Sequence, residues 1–94
     1  MTGSVASVRG LPGFGVYAAS EAALRSFART CLNELKGRNI RVNALSPGQV
    51  DTPDSQRLDK ETRQLFESLI PRGKMGCPEE IATVALFLAS DDSN

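Results

Sequence analysis

The chain has 94 residues, 40% of them hydrophobic, which is enough for one domain with a modest core and too few for two. Eleven basic residues balance eleven acidic ones without any run of like charges, so nothing indicates nucleic acid or an anionic membrane surface as a partner. The apolar stretch at residues 81–89 is far shorter than a bilayer span. We therefore expect a cytoplasmic protein that acts on small molecules or other proteins.

Cysteine and histidine usage bears on metal and disulfide chemistry. Cys31 and Cys77 are far apart in sequence, and the chain contains no histidine. Neither a zinc site nor a disulfide framework is predicted. We expect both cysteines to be small buried hydrophobic side chains.

The first half of the chain is predicted to form a loop and then a long helix. Residues 1–15 are small and glycine-rich, which is typical of a loop. Apolar residues then recur at spacings of three and one, which predicts an amphipathic helix over residues 16–36 that ends at Gly37. The apolar stripe consists of Leu24, Phe27, Ala28, Cys31, Leu32 and Leu35.

The second half is predicted to contain one short strand and two further helices. Residues 40–45 have the pattern of a strand, which Ser46, Pro47 and Gly48 would end. Asp59 is expected to cap a helix over residues 59–70, and Pro78 to begin a third helix. The buried stripe of that third helix is predicted to be Ile81, Val84, Ala85 and Leu88.

A lone strand among three helices leaves both of its backbone edges unpaired, so the predicted elements look incomplete. Their order is typical of the α/β class, as part of a doubly wound, Rossmann-like parallel sheet. We expect residues 1–94 to be a single partial domain. Ligands of such sheets bind beyond the carboxyl ends of the strands, where residues 46–52 would lie.

Several short motifs carry a family resemblance. Tyr17 begins a Tyr-Ala-Ala-Ser-Glu segment, and Ser4 lies thirteen residues before it. Residues 41–52 read Arg-Val-Asn-Ala-Leu-Ser-Pro-Gly-Gln-Val-Asp-Thr, and residues 77–82 read Cys-Pro-Glu-Glu-Ile-Ala. In this order the motifs resemble the C-terminal, active-site part of the short-chain dehydrogenases/reductases, a family with a Tyr-x-x-x-Lys motif.

The resemblance implies hydride transfer between NAD or NADP and a substrate carbon that bears a hydroxyl or carbonyl group. It assigns Tyr17 as the acid/base and Ser4 as the hydrogen-bond partner of the substrate oxygen. It places the Val50 backbone and the Thr52 hydroxyl against the nicotinamide carboxamide. The loop that presents them would be shaped by Pro47 and Gly48.

Glu21 occupies the position of the family's lysine. A phenol has an ordinary pKa near 10, so the family places an ammonium one helical turn away to favour ionisation. A carboxylate reverses the sign of that interaction. Two interpretations stay open: Glu21 is a solvated helix residue in a chain no longer used for catalysis, or its carboxylate accepts the ribose hydroxyls of the cofactor.

The family's glycine-rich turn for the pyrophosphate has no counterpart here, because Gly10, Gly13 and Gly15 have the wrong spacing and no predicted strand precedes them. We therefore expect these residues alone to be inactive and to bind no cofactor. The alternative, from another functional class, is a non-catalytic module that self-associates through the helix at residues 16–36. The resemblance also implies a homo-oligomer that forms through that helix.

Overall fold

The computed structural model describes residues 1–94, which form two compact units, Met1–Pro47 and Gly48–Asn94. The expected single domain stays a prediction, because two such units can belong to one domain. Three helices account for most of the regular structure: α1 (Gly15–Leu35), α2 (Lys60–Ser68) and α3 (Pro78–Ala89). Short 3₁₀ turns lie at Val5–Ser7, Lys36–Arg38, Ser55–Arg57 and Asp91–Ser93.

The predicted strand at residues 40–45 does not form. Within that range only Leu45 makes a bridge, which runs parallel to Thr2. The Gly3 amide donates to the Leu45 carbonyl at 2.7 Å, and the Leu45 amide donates to the Met1 carbonyl at 2.9 Å. The first residues, predicted to be loop, therefore supply the pairing partner. A regular strand needs a longer ladder than this single bridge provides.

The helix predicted over residues 16–36 is confirmed as α1, with a different end. Gly37 lies within the 3₁₀ turn that follows Leu35, and the left-handed residue is Asn39, with φ of 55°. The prediction that Gly37 ends the helix was wrong. Asparagine tolerates this conformation because its short polar side chain can hydrogen-bond locally.

The helices bury less of their apolar stripes than their periodicity predicts. Ala28 is the only buried residue of α1, and Phe27 on the same stripe is 58% exposed. No residue of α3 is buried, so the predicted buried stripe of that helix was wrong. The buried hydrophobic residues are Ala6, Ala28 and Met75, and this small core leaves large apolar side chains in contact with solvent. None of the helices has both the length and the apolar character needed to cross a membrane.

Both cysteines depart from the buried environment predicted for them. Cys77 is exposed and Cys31 is half-buried, and both are free thiols. Cys77 precedes α3, where its backbone amide donates to the Glu80 side chain. Its position at a helix start, on the surface, explains why it is not part of the core.

The starts of α2 and α3 were predicted correctly. The Asp59 carboxylate accepts a hydrogen bond from the Thr62 amide at 2.8 Å, and Pro78 is the first residue of α3. Arg72 donates to Glu80 at 2.9 Å, and the Cys77 amide donates to the same carboxylate at 2.8 Å. These bonds lower the pKa of Glu80 to about 2, so the carboxylate stays charged at the start of α3.

Candidate active site

Ser4 lies at the end of the paired segment in the first unit. The amides on either side of it, those of Gly3 and Val5, donate to the carbonyls of Leu45 and Pro47. Its side-chain oxygen accepts a hydrogen bond from the Ala6 amide at 3.2 Å and caps the turn Val5–Ser7. This bond uses one lone pair of the oxygen and leaves the hydroxyl proton for another acceptor.

Tyr17 is in the first turn of α1. Its ring meets the ring of Phe14 edge to face, with 6.2 Å between centroids, and the residue is 46% exposed. Helix α1 packs on the turn Val5–Ser7, which Ser4 caps. The fold therefore brings the helix of Tyr17 and the turn of Ser4 together in one unit.

Glu21 is one turn beyond Tyr17 and is turned inward. Its Oε2 atom is buried and has no hydrogen-bond partner. A methyl carbon placed on Gly3 would lie 3.2 Å from this oxygen and 3.5 Å from Ser46 Oγ. The carboxyl group thus lies over the Gly3 backbone, beside Ser46. The Oε2 atom is therefore shielded from water, whereas the residue as a whole is half-buried, and both interpretations of Glu21 stay open.

A buried carboxylate oxygen without a donor is unusual, because its lost hydration is not replaced. An acceptor in need of a donor is compatible with hydroxyl groups such as those of a ribose. A lysine in the same place would carry donors only. The chemistry of residue 21 has therefore changed from donor to acceptor as well as in charge.

Pro47 and Gly48 stand at the boundary of the two units. The Pro47 carbonyl accepts from the Val5 amide at 3.1 Å, so it belongs to the pairing of the first unit. Gly48 begins the second unit and has open space around its α-carbon. Its φ is not in the left-handed region, so neither backbone conformation nor space requires glycine there.

Val50 is in a second parallel bridge, with Gly76. The Gly76 amide donates to the Gln49 carbonyl at 2.9 Å, and the Asp51 amide donates to the Gly76 carbonyl at 2.8 Å. In this pattern the groups of Val50 itself point away from Gly76. The Val50 amide and carbonyl are thus left outside the bridge, on the opposite edge.

Thr52 is held closely by Ser55. The Thr52 amide donates to Ser55 Oγ at 2.8 Å, and the Ser55 amide donates to Thr52 Oγ1 at 3.3 Å. The Thr52 carbonyl accepts from the Gln56 amide at 3.1 Å. The threonine hydroxyl acts as an acceptor in this arrangement, so its own proton can be donated elsewhere.

Sequence reasoning missed the ion pair beside Thr52. Arg63 makes two parallel hydrogen bonds to Asp51, at 3.1 and 3.0 Å, and a third to Glu67 at 3.2 Å. The bonds from Arg63 and Ser55 hold the pKa of Asp51 below its usual range, and Asp51 raises the pKa of Arg63. Arg63 and Glu67 are four apart on α2, a spacing that could have been noticed, whereas Asp51 is twelve residues away from Arg63.

The rest of the chain was searched for a metal site and for a cleft. No group of three or more His, Cys, Asp or Glu side chains is placed to hold a metal ion. An open cleft of about 280 Å³ in the first unit is lined by Arg25, Arg29 and Asn43, among others, and contains none of the predicted site residues.

Comparison with known proteins identifies the family. The sequence profile of the family described as "Enoyl-(Acyl carrier protein) reductase" matches residues 1–94. The chain is 48% identical over 91 residues to 3-oxoacyl-[acyl-carrier-protein] reductase FabG of Thermotoga maritima, covering 97% of this chain and 37% of that protein. It is 42% identical over 85 residues to 3beta-hydroxysteroid dehydrogenase 1 of Eggerthella lenta, covering 88% and 33%. It is 40% identical over 95 residues to Oxidoreductase asL5 of Sarocladium schorii, covering 100% and 38%.

The chain therefore spans about a third of the length of these relatives, between 33% and 38%. The match extends over both compact units and includes the Tyr17 helix and the Pro-Gly segment. The chain belongs to the short-chain dehydrogenase/reductase family.

Proposed function

We propose that residues 1–94 supply the tyrosine helix and the nicotinamide-facing loop of a cytoplasmic, NAD(P)-dependent oxidoreductase with a doubly wound parallel sheet. The observation that carries the proposal is the packing of α1, which holds Tyr17, on the turn that Ser4 caps. Family membership supports the cofactor class, and the parallel bridges support the sheet. The substrate class is a ketone or a secondary alcohol.

The relatives' names support a broad substrate class. One names a 3-oxoacyl group on an acyl carrier protein and another a 3β-hydroxysteroid, at 48% and 42% identity. These identities are too similar to favour one of the two substrates. Both names describe a carbon that alternates between a carbonyl and a hydroxyl, which is the chemistry proposed here.

Each site residue has a role that its geometry permits. Tyr17, half-exposed, gives or takes the proton on the substrate oxygen, and the Ser4 hydroxyl donates a hydrogen bond to that oxygen. The unpaired edge of Val50 and the free proton of Thr52 face the carboxamide. Pro47 and Gly48 are proposed to shape the loop that presents Val50 and Thr52. NAD(P), when bound, exchanges the hydride with the substrate carbon.

Glu21 is proposed to accept the ribose hydroxyls of the cofactor. The orphaned Oε2 supports this, since it is an acceptor without a donor. The side chain would have to turn away from Gly3 to expose that oxygen.

These 94 residues by themselves are proposed to be inactive, because no strand leads into a glycine-rich turn that could bind a pyrophosphate. We predict that titration of the chain with NADH or NADPH in a calorimeter gives no measurable heat of binding. The contacts of Val50 and Thr52 are too few to offset the cost of ordering a dinucleotide. The Thermotoga relative, titrated in parallel, is the positive control. Micromolar binding by the chain would overturn the proposal.

A second prediction concerns the charge at residue 21. In a chimera that joins the N-terminal part of the Thermotoga relative to this chain, Glu21→Lys should raise turnover at neutral pH by at least about tenfold. An ammonium favours the Tyr17 phenolate, so the alkaline limb of the pH–rate profile should also move to lower pH. Stopped assays over a pH series measure both effects.

Matched variants separate charge from other effects of this substitution. Glu21→Gln removes the negative charge without adding a positive one. Its turnover should therefore lie between that of the unmodified chimera and that of the Glu21→Lys variant. Tyr17→Phe in the Glu21→Lys background should lower turnover about 10²–10⁴-fold. A pH–rate profile that Glu21→Lys leaves unchanged would mean that Tyr17 is not the titrating group.

Self-association through α1 is the second candidate function. Large apolar side chains of this helix remain in solvent, among them Phe27 and Leu32. Pairing of two copies about a two-fold axis would bury the same patch on both, and each large side chain covered contributes about 1.5–3 kcal/mol. A self-associating module would need no cofactor at all.

We predict that the chain is a dimer or a larger oligomer at high micromolar concentration, and that Phe27→Asp dissociates it. The variant would place an unpaired charge in the buried interface. Leu86→Asp is the matched control, because Leu86 is an exposed apolar residue of α3, 70% exposed against 58% for Phe27, and lies outside the proposed interface. Sedimentation velocity or light scattering measures the mass. A compact, stable monomer for the unmodified chain would rule out this interface.

A further inference from the structure

We propose that Arg63 is a positioning residue for Thr52. It acts through Asp51 and Ser55 to fix the loop that presents the threonine hydroxyl to the nicotinamide. This inference rests on the proposed role of Thr52. It adds a residue of α2 to the site, although Arg63 is eleven positions beyond Thr52 in the sequence.

The first step is the fork between Arg63 and Asp51. Two guanidinium nitrogens donate to the two carboxylate oxygens, Nη1 to Oδ1 at 3.1 Å and Nη2 to Oδ2 at 3.0 Å. A bidentate pair fixes the orientation of both planar groups as well as their separation. Arg63 Nε donates to Glu67 at 3.2 Å, which anchors the arginine on its own helix. The Asp51 carboxylate is thereby fixed relative to α2.

The second step leads from Asp51 to Thr52 through a single serine. Ser55 Oγ carries one proton and has two acceptors within reach, the Thr52 carbonyl at 2.8 Å and Asp51 Oδ1 at 3.1 Å. Ser55 Oγ also accepts from the Thr52 amide at 2.8 Å. The Ser55 amide donates to the Thr52 hydroxyl oxygen at 3.3 Å. Ser55 therefore orients both the backbone and the side chain of Thr52, and Asp51 is one of the two acceptors that orient Ser55.

Shielding from water distinguishes this pair from the neighbouring one. The side chains of Arg63 and Asp51 are 30% and 38% exposed. Arg57 and Asp54, in the same loop, are 82% and 89% exposed and are 3.5 Å apart with a single contact. Water and salt screen the outer pair almost fully, so it contributes little. The inner pair keeps both its geometry and more of its interaction energy.

The position of α2 is consequently coupled to the position of the Thr52 hydroxyl. A small shift of α2 would move Asp51, and with it Ser55 and Thr52. Because Thr52 is proposed to contact the carboxamide in the ground state and in the transition state alike, its displacement should weaken cofactor binding more than it slows the chemical step. This difference separates a positioning role from a merely structural one.

Hydrogen exchange of the Thr52 amide, followed by NMR on the full chain, tests the inference directly. Arg63→Met should speed this exchange about three- to fivefold, the effect of an ion pair at a partly exposed site. Arg63→Lys keeps the charge but loses the fork, so it should give a smaller increase. Arg57→Met, the matched control, should leave the rate unchanged. Exchange at the Gly76 amide, which pairs with Gln49, reports whether the unit is still folded.

Three results would overturn the inference: an unchanged Thr52 rate in Arg63→Met, an equal increase in Arg57→Met, or a Thr52 rate that follows a general loss of protection at Gly76. If Arg63→Met unfolds the unit, Arg63→Lys decides the question on the same amides. An unchanged Thr52 rate in that variant, with Gly76 still protected, would overturn the inference.

Steady-state kinetics of the chimera distinguish this inference from the proposed function. Arg63→Met should raise KM for the cofactor about three- to fivefold with a smaller change in kcat. Thr52→Val should raise KM as well. If Thr52→Val raises KM and Arg63→Met does not, the inference fails alone. If Thr52→Val has no effect, the assignment of Thr52 fails, and the exchange rates still report on its positioning.

Discussion

The parallel pairing between residues 1–5 and residues 43–47 is the constraint on which the first unit depends. It consists of backbone bonds that join Met1, Gly3 and Val5 to Leu45 and Pro47. A parallel pair cannot be closed by a tight turn, so the chain between the two segments must cross over, and α1 is that crossover. The carboxyl ends of both segments then lie at one edge, where Ser4 and the Ser-Pro segment meet.

The position of Glu21 follows from this pairing. A β-carbon at residue 3 would lie 3.2 Å from the Glu21 carboxyl oxygen, so a larger residue there would require this side chain to shift. The family's lysine has been replaced by an acceptor that is buried beside Ser46. A single substitution has thus reversed the charge one turn from Tyr17 and created a group that lacks a donor. This combination makes residue 21 the most informative departure from the family pattern.

The helices were predictable from the sequence, and the pairing was not. Spacing of apolar residues located α1, while Asp59 and Pro78 marked the starts of the other two helices, because capping is a local property. The paired segment at residues 1–5 is Met-Thr-Gly-Ser-Val, whose small residues carry no alternation that would predict a strand. The prediction that α3 buries its apolar stripe was wrong. The spacing of apolar residues identifies the apolar face of a helix, but it does not show which element covers that face.

The motif residues of the candidate site were predictable from the sequence, whereas the contacts that hold them in place were not. The spacing of Ser4 and Tyr17 and the Pro-Gly-x-x-x-Thr pattern led to the family, which the comparisons show. The hydrogen bonds that lead from Arg63 through Asp51 and Ser55 to Thr52 could not be predicted, because these residues follow no periodicity. They meet only through the loop after Val50. Long-range polar contacts of this kind depend on side-chain geometry that a sequence pattern does not contain.

Amide hydrogen exchange at Gly3, Val5 and Leu45, measured by NMR on the 94-residue chain, tests whether the two segments pair. If residues 1–5 pair with residues 43–47, these amides exchange more slowly than in an unstructured peptide, because each donates to a backbone carbonyl. Exchange at peptide rates for all three, while the amides of α1 stay protected, would contradict the pairing and the placement of Ser4 and Glu21 that depends on it.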